Sequence, residues 1–145
     1  MGAVRGCNIP EDLSYNVDNN VWARREADGT VTVGLTAYAC SLAGEIVAYT
    51  PKKAGKDIAK DKSCATVESG KWVGPVKTPV SGAVIAVNDA VASKPGLINK
   101  DPYGEGWVVK MKASDWDGES KSLKTGGDAL KAFDAKMEAE GFKGC

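Results

Sequence analysis

Histidine is absent from the 145 residues. Without an imidazole there is no Ser-His-Asp or Cys-His nucleophilic arrangement and no histidine-containing zinc site. Acid–base chemistry near neutral pH also lacks its usual agent, which disfavours a self-sufficient enzyme. Net charge is missing too. Lys+Arg and Asp+Glu both number 19, so no field steers the chain toward nucleic acid or an anionic membrane. No basic block with interleaved aromatics stands out, and no apolar run approaches the ~20 residues of a membrane-crossing helix. The opening "MGAVRGC" lacks the apolar core of a signal peptide and puts Gly6 where a myristoylation motif wants Ser or Thr. Cys7, Cys40, Cys64 and Cys145 form no C-x-x-C pair, which removes zinc-ribbon and thioredoxin-type motifs. The expectation is a cytoplasmic protein with reduced thiols, partnered by neither nucleic acid nor membrane.

What is present describes an ordinary globular chain, with 43% hydrophobic and 26% charged residues. At this length roughly 68–70% of the unfolded surface can be buried, so neither metal nor disulfide is required. "CNIPEDLSYNVDNN" is polar and turn-rich and reads as an arm rather than a core element. Val21–Glu26 and Thr30–Val33 read as a hairpin closed at Asp28-Gly29. Thr36 can cap a short helix that ends at Gly44, with Tyr38 and Leu42 on one face. "EIVAYTP", "SCATVES", "AVIAVND" and "GWVVKMK" read as strands, the last of them the final one. "NDAVASKPG" suggests a turn or two of helix stopped at Pro95-Gly96, and Pro102-Tyr103-Gly104 a turn. Past Lys112, "ASDWDGESKSLKTGG" is linker-like. "DALKAFDAKMEAEG" is helical, with Leu130, Phe133 and Met137 on one face and Gly141 at the C-cap. Short strands with close turns argue for a sandwich or barrel. We divide the chain at residues 1–112, a β domain with its N-terminal arm, and 113–145, a linker and helix packed on the same domain.

One lysine stands out in "VESGKWVGPVKTPVSG", residues 67–82. Cys64–Glu68 and Val73–Thr78 can pair as strands, leaving Ser69-Gly70-Lys71-Trp72 as the tip, with Gly70 supplying a positive φ. A primary amine projecting there is open to a modifying enzyme, and acylation would erase its charge. On these local grounds alone, a solvated charge is the commoner reading.

Resemblance changes that balance. "IPEDLSYNVDNNVW", "VTVGLTAYACSLAGEIVAYTP", "VESGKWVGPVKTPVSGAVIAVNDAV" and "INKDPYGEGWVVKMK" resemble, in that order, the glycine-cleavage H-protein family over about residues 9–112. The resemblance implies a mainly β, lipoyl/biotinyl carrier-type flattened barrel of two antiparallel sheets, with short helices and a C-terminal helix. It also implies a non-catalytic carrier with lipoic acid in amide linkage on Lys71, loaded by a lipoate ligase. Glu68, Ser69 and Lys71 match the family's Glu–Ser–x–Lys motif. Gly70 and Trp72 depart from the small apolar residue and alanine usual on either side of the lysine. "VGP" follows where polar residues are usual, "NNVW" lacks the histidine often found there, and Cys40 replaces a glutamine. Those departures resemble the lipoate-binding proteins of heterodisulfide-reductase-like sulfur oxidation. The first reading is therefore a carrier of sulfur intermediates to such a complex. The alternatives are an H protein passing an aminomethyl group among glycine-cleavage enzymes, an unmodified interaction module, and a thiol enzyme.

Trp72 reads equally as a shield or partner anchor and as a half-buried sheet residue. Glu68 either helps the ligase recognise the hairpin or pairs with a nearby lysine. Lys110 in "VVKMK" resembles the biotin-carrier centre but lacks the preceding methionine, so a structural strand is the better reading. Cys40 and Cys64 read as buried small hydrophobes. Cys7 and Cys145 read as thiols in mobile ends, able to exchange with a dithiol. No residue is assigned to catalysis or to a metal.

Overall fold

The computed structural model describes residues 2–145. In chain order the strands and helices are β1 (Ala3–Val4), β2 (Cys7–Asn8), β3 (Ser14–Asn16), β4 (Val21–Arg25), β5 (Val31–Leu35) and α1 (Ala37–Ala43). Next come β6 (Ile46–Pro51), β7 (Asp57–Ile58), β8 (Ser63–Ser69), β9 (Val73–Lys77), β10 (Gly82–Val87), α2 (Asp89–Ser93) and α3 (Leu97–Lys100). β11 (Val109–Ala113), α4 (Trp116–Glu119), β12 (Lys124–Thr125) and α5 (Gly126–Ala139) complete the chain. A seven-stranded sheet runs β12-β3-β4-β5-β11-β10-β7, a three-stranded sheet runs β6-β8-β9, and β1-β2 form a small ladder. Every pairing is antiparallel. The result is a mainly β, flattened barrel-like sandwich with short helices.

The inward residues of the two larger sheets are small and β-branched, as a thin sandwich core requires. Val33, Val67, Val76, Val84 and Val109 are fully buried there with Cys64 and Ala65. Thr36 caps α1 by accepting a hydrogen bond from Ala39 N–H at 3.1 Å, and Gly44 closes it at φ +80. Tyr38 faces inward from this helix while Leu42 is exposed, so the two do not share a buried face. Their i, i+4 spacing aligns them along the helix, but with only seven residues the buried stripe is set by Tyr38, Ala39, Cys40 and Ala43.

A second core corrects the reading of the amino-terminal segment as an arm. Ile9, Leu13 and Tyr15 are buried with Trp22, Tyr38, Phe133 and Met137, and Tyr15 meets Phe133 edge-on at 5.4 Å. The apolar residues of the polar-looking segment are sparse, yet Ile9, Leu13 and Tyr15 join one buried cluster with residues of α5. Leu130 only flanks this cluster, and Ala129 takes the buried position beside Phe133 and Met137. Gly141 sits at φ +68, with Phe142 N–H donating to Met137 O at 2.8 Å and Gly141 N–H to Glu138 O at 3.1 Å, a Schellman ending.

The stretch from Ser114 to Gly127 is ordered rather than linker-like. Asp115 caps α4, a 3₁₀ turn follows, and β12 pairs with β3, so β11 is not the last strand. Glu119 fastens this stretch to the sheet by accepting hydrogen bonds from Ser81 N–H and Ser81 Oγ–H at 2.8 and 2.9 Å. Pro95-Gly96 does end α2, but it also opens α3, which the sequence did not announce. The ends are not mobile thiols. Cys7 and Cys145 form a disulfide with Cα atoms 5.0 Å apart, and Cys145 N–H donates to Arg5 O at 2.9 Å. Cys40 and Cys64 are free and buried. No helix among the described residues is long and apolar enough to cross a membrane.

Candidate functional site

β8 and β9 pair from Ser63–Lys77 to Glu68–Val73, and their connection carries Gly70, Lys71 and Trp72 outward. Ser69 N–H donates to Trp72 O at 2.7 Å, and Lys71 N–H to Ser69 Oγ at 3.3 Å. Gly70 is not among the residues with positive φ, which corrects the expected turn geometry. The Ser69 hydroxyl supplies the bend instead, as serine does in turns. A Cβ on Gly70 would meet nothing within 4 Å, so the tip is open on that side.

The five motif residues divide by role. Ser69 is buried, and its hydroxyl donates to Ala43 O at 2.6 Å, fastening the hairpin to the end of α1. Glu68, Gly70, Lys71 and Trp72 are exposed. The Lys71 stem leans on Gly44, where an added Cβ would lie 3.3 Å from Lys71 Cε. Among the described residues the Lys71 and Glu68 side chains join none of the ion pairs, which are Arg5–Asp134, Arg5–Glu138 and Arg24–Glu26. Among the described residues the Lys71 amine takes no hydrogen-bond partner either, its backbone N–H alone being bonded. It is the pairing that would have closed this lysine to chemistry, and the fold does not make it.

Trp72 is 39% exposed, and its indole lies over Gly74 so closely that any side chain at Gly74 would overlap it. Trp72 and Pro75 face Leu35, Ala39, Leu42 and Ala43 across a groove of about 210 Å³. On the other flank, β6 pairs Ile46 with Ser69 and Ala48 with Glu68, leaving Val47 as a bulge. Bulges re-aim a strand locally, and Val47 thereby stands exposed on the surface it shares with Lys71. Among the described residues, Leu42, Val47, Trp72 and Val73 make up four of the five large exposed hydrophobics, Ile85 being the fifth. Lys71 thus shares its immediate surface with Val47 and Glu45, while Leu42 and Trp72 line the groove on the other flank.

Beneath it, the α1–β6 junction is held from a second side. Asn99 on α3 accepts a hydrogen bond from Ile46 N–H and donates one to Gly44 O, both at 2.8 Å. The sequence offers no sign of this, because Asn99 and its partners lie 53 and 55 residues apart.

The remaining candidates fall outside the tip. Lys110 lies within β11 with its ammonium 5.1 Å from the Trp107 ring centroid, a strand lysine resting on an aromatic face. Burial pushes the thiols of Cys40 and Cys64 up to about 12, which leaves them protonated and unreactive at neutral pH. No cluster of three or more Cys, Asp or Glu side chains suited to a metal occurs among the described residues.

Known proteins are similar to this chain in sequence and in fold. The family model for the glycine cleavage H-protein matches residues 13–136. Glycine cleavage system H protein 5 of Aquifex aeolicus is 52% identical over 127 residues, 85% of this chain and 84% of its own. Probable glycine cleavage system H protein 2 of Sulfurisphaera tokodaii is 44% identical over 142 residues, covering 97% of this chain and 95% of its own. A crystal structure of a glycine cleavage system H protein from Mycobacterium marinum superposes with a TM-score of 0.74 at 31% identity, covering 85% of this chain and 97% of that one. The chain belongs to the glycine cleavage H-protein family, whose members carry lipoate covalently on a lysine and are not themselves catalysts.

Proposed function

We propose that Lys71 is the lysine that carries lipoate in this chain, with Glu68, Ser69, Gly70 and Trp72 as the motif a lipoate ligase reads. The observation that carries the reading is the unpaired amine of Lys71, exposed at a hairpin apex that Ser69 ties to α1. Nothing must be broken to acylate it, and the open side at Gly70 admits a ligase. When bound, lipoate supplies a pair of redox-active sulfurs on a long tether, which raises their effective concentration at a docked enzyme. The chain contributes presentation and docking. In this reading residues 1–112 are the carrier, residues 113–145 its C-terminal extension, and both work in the cytoplasm with the ligase.

For the load, the relatives' names favour an aminomethyl group passed among glycine-cleavage enzymes. A sulfur load delivered to a heterodisulfide-reductase-like complex is the second reading. It is favoured by Gly70 and Trp72, which change the surface a partner meets beside the lysine.

Intact mass after incubation with lipoate ligase, lipoate and ATP tests the attachment: the wild type gains one lipoyl group and Lys71→Arg gains none. A modified Lys71→Arg protein would move the site elsewhere. Aminomethyl transfer from glycine, with the decarboxylase present, separates the loads. Turnover at the rate of an authentic H protein supports the glycine reading, and none supports the sulfur reading.

A further inference from the structure

We propose that Asn99 is a positioning residue for acylation of Lys71, acting through the Gly44 platform on which the lysine stem rests. The proposal rests on the reading of Lys71 as the attachment point and adds a residue that lies outside its motif. The platform is the α1–β6 junction, gripped from two directions. Ser69 Oγ–H donates to Ala43 O at 2.6 Å from the hairpin side. The Asn99 amide takes Ile46 N–H and Gly44 O, each at 2.8 Å, from the α3 side. Gly44 between them sits at φ +80 and has no Cβ, which would lie 3.3 Å from Lys71 Cε.

The chemistry of position 99 is narrow. It must donate to one backbone group and accept from another in a single plane, which a primary amide does and a carboxylate does not. Aspartate would keep the bond from Ile46 N–H but turn an oxygen toward Gly44 O. Alanine would leave both backbone groups unmatched beside buried Ile46. α3 itself is anchored, with Ile98 fully buried and the Cys40 thiol donating to Ile98 O at 3.4 Å. The path from core to amine therefore runs Ile98, Asn99, Gly44, Lys71, and loosening it lets the stem wander.

The test uses the full chain with lipoate ligase, following the initial rate of mass gain in Asn99→Ala and Asn99→Asp. Asn88→Ala is the control. Asn88 also bonds two backbone carbonyls, Glu105 O and Trp107 O, but none of residues 43–46. Both Asn99 variants should lose roughly tenfold or more in ligase kcat/KM, because small misplacements of a reacting group are costly. Asn88→Ala should melt earlier yet stay within about twofold of the wild-type rate, since its lost bonds are stabilising only. Asn99→Ala and Ser69→Ala should combine non-additively in a double-mutant cycle, because both act on one segment. Hydrogen exchange at the Ile46 N–H should accelerate in Asn99→Ala, which loses its acceptor, and stay near wild type in Asn99→Asp. A folded Asn99→Ala protein acylated at the wild-type rate would overturn the proposal. So would Asn99 variants that all unfold, because the role is then structural. A wild type that gains no mass, or a Lys71→Arg protein that does, strikes the attachment reading instead.

Discussion

Trp22 shows how much one side chain can organise. It is fully buried, and its indole N–H donates to Leu35 O at 3.1 Å and Pro102 O at 3.0 Å, tying β4 to the end of β5 and to the turn before β11. Phenylalanine would fill most of the space and leave two carbonyls short of a donor. Trp22→Phe should therefore cost about 1–3 kcal/mol of stability in a urea titration. The buried thiols predict a pH dependence. Burial raises Cys40 and Cys64 from the ordinary 9.0 to about 12, so above pH 9 the unfolded chain gives up protons that the folded chain keeps. Fewer protons on the unfolded state means that stability falls as pH rises from about 9 toward 12. Replacing both cysteines with alanine should make that limb start later and fall less steeply in chemical denaturation at a series of pH values. The remainder comes from buried tyrosine hydroxyls such as Tyr49, raised from 10.0 to about 12. The roles of these thiols were legible in the sequence from their apolar neighbours. Asn99 was not, because a polar residue in "LINKD" acquires its meaning only from backbone groups brought to it by folding.

Among the elements, the β8–β9 hairpin was readable because its alternation, its turn formers and its family motif agree. The exposure pattern of β9 alternates from Val73 to Lys77 as a half-buried strand should. The bulge at Val47 was hidden, since "EIVAYTP" alternates no differently from a regular strand and the register shift is imposed by pairing with β8. α5 carries its energetic weight on a single side. Phe133→Ala would remove a fully buried ring that meets Tyr15 edge-on, and should cost about 3–5 kcal/mol, read as a lowered denaturation midpoint. Lipoylation of the folded fraction should be unaffected, because Phe133 belongs to the second core and not to the platform under Lys71.

At the level of the whole molecule, the chain's two ends are stapled together. The Cys7–Cys145 bridge spans 138 residues, and the loop-closure argument assigns such a bridge about 4–5 kcal/mol, acting mainly on the unfolded chain. Around it, Arg5 donates to Asp134, Glu138 and Phe142 O, and Phe142 packs edge-on against Tyr38 of α1 at 4.7 Å. Reduction with a thiol, or Cys7→Ser with Cys145→Ser, should lower the melting temperature by several degrees or more for a chain of this size. Alkylation counting checks the starting state. The native protein should yield no labelled cysteine without reductant, and Cys7 and Cys145 alone after mild reduction, because Cys40 and Cys64 are shielded.

The sequence by itself determined the β architecture, the hairpin that presents Lys71, both helix endings at Gly44 and Gly141, and the family. These rest on local patterns and motifs that a linear chain displays. Only the tertiary structure decided that the amino-terminal segment is core, that the terminal cysteines pair, and that Asn99 grips the α1–β6 junction. Each of these joins residues far apart in the chain. Such contacts are selected by packing and by the need to satisfy buried backbone groups, and local sequence carries no record of that selection.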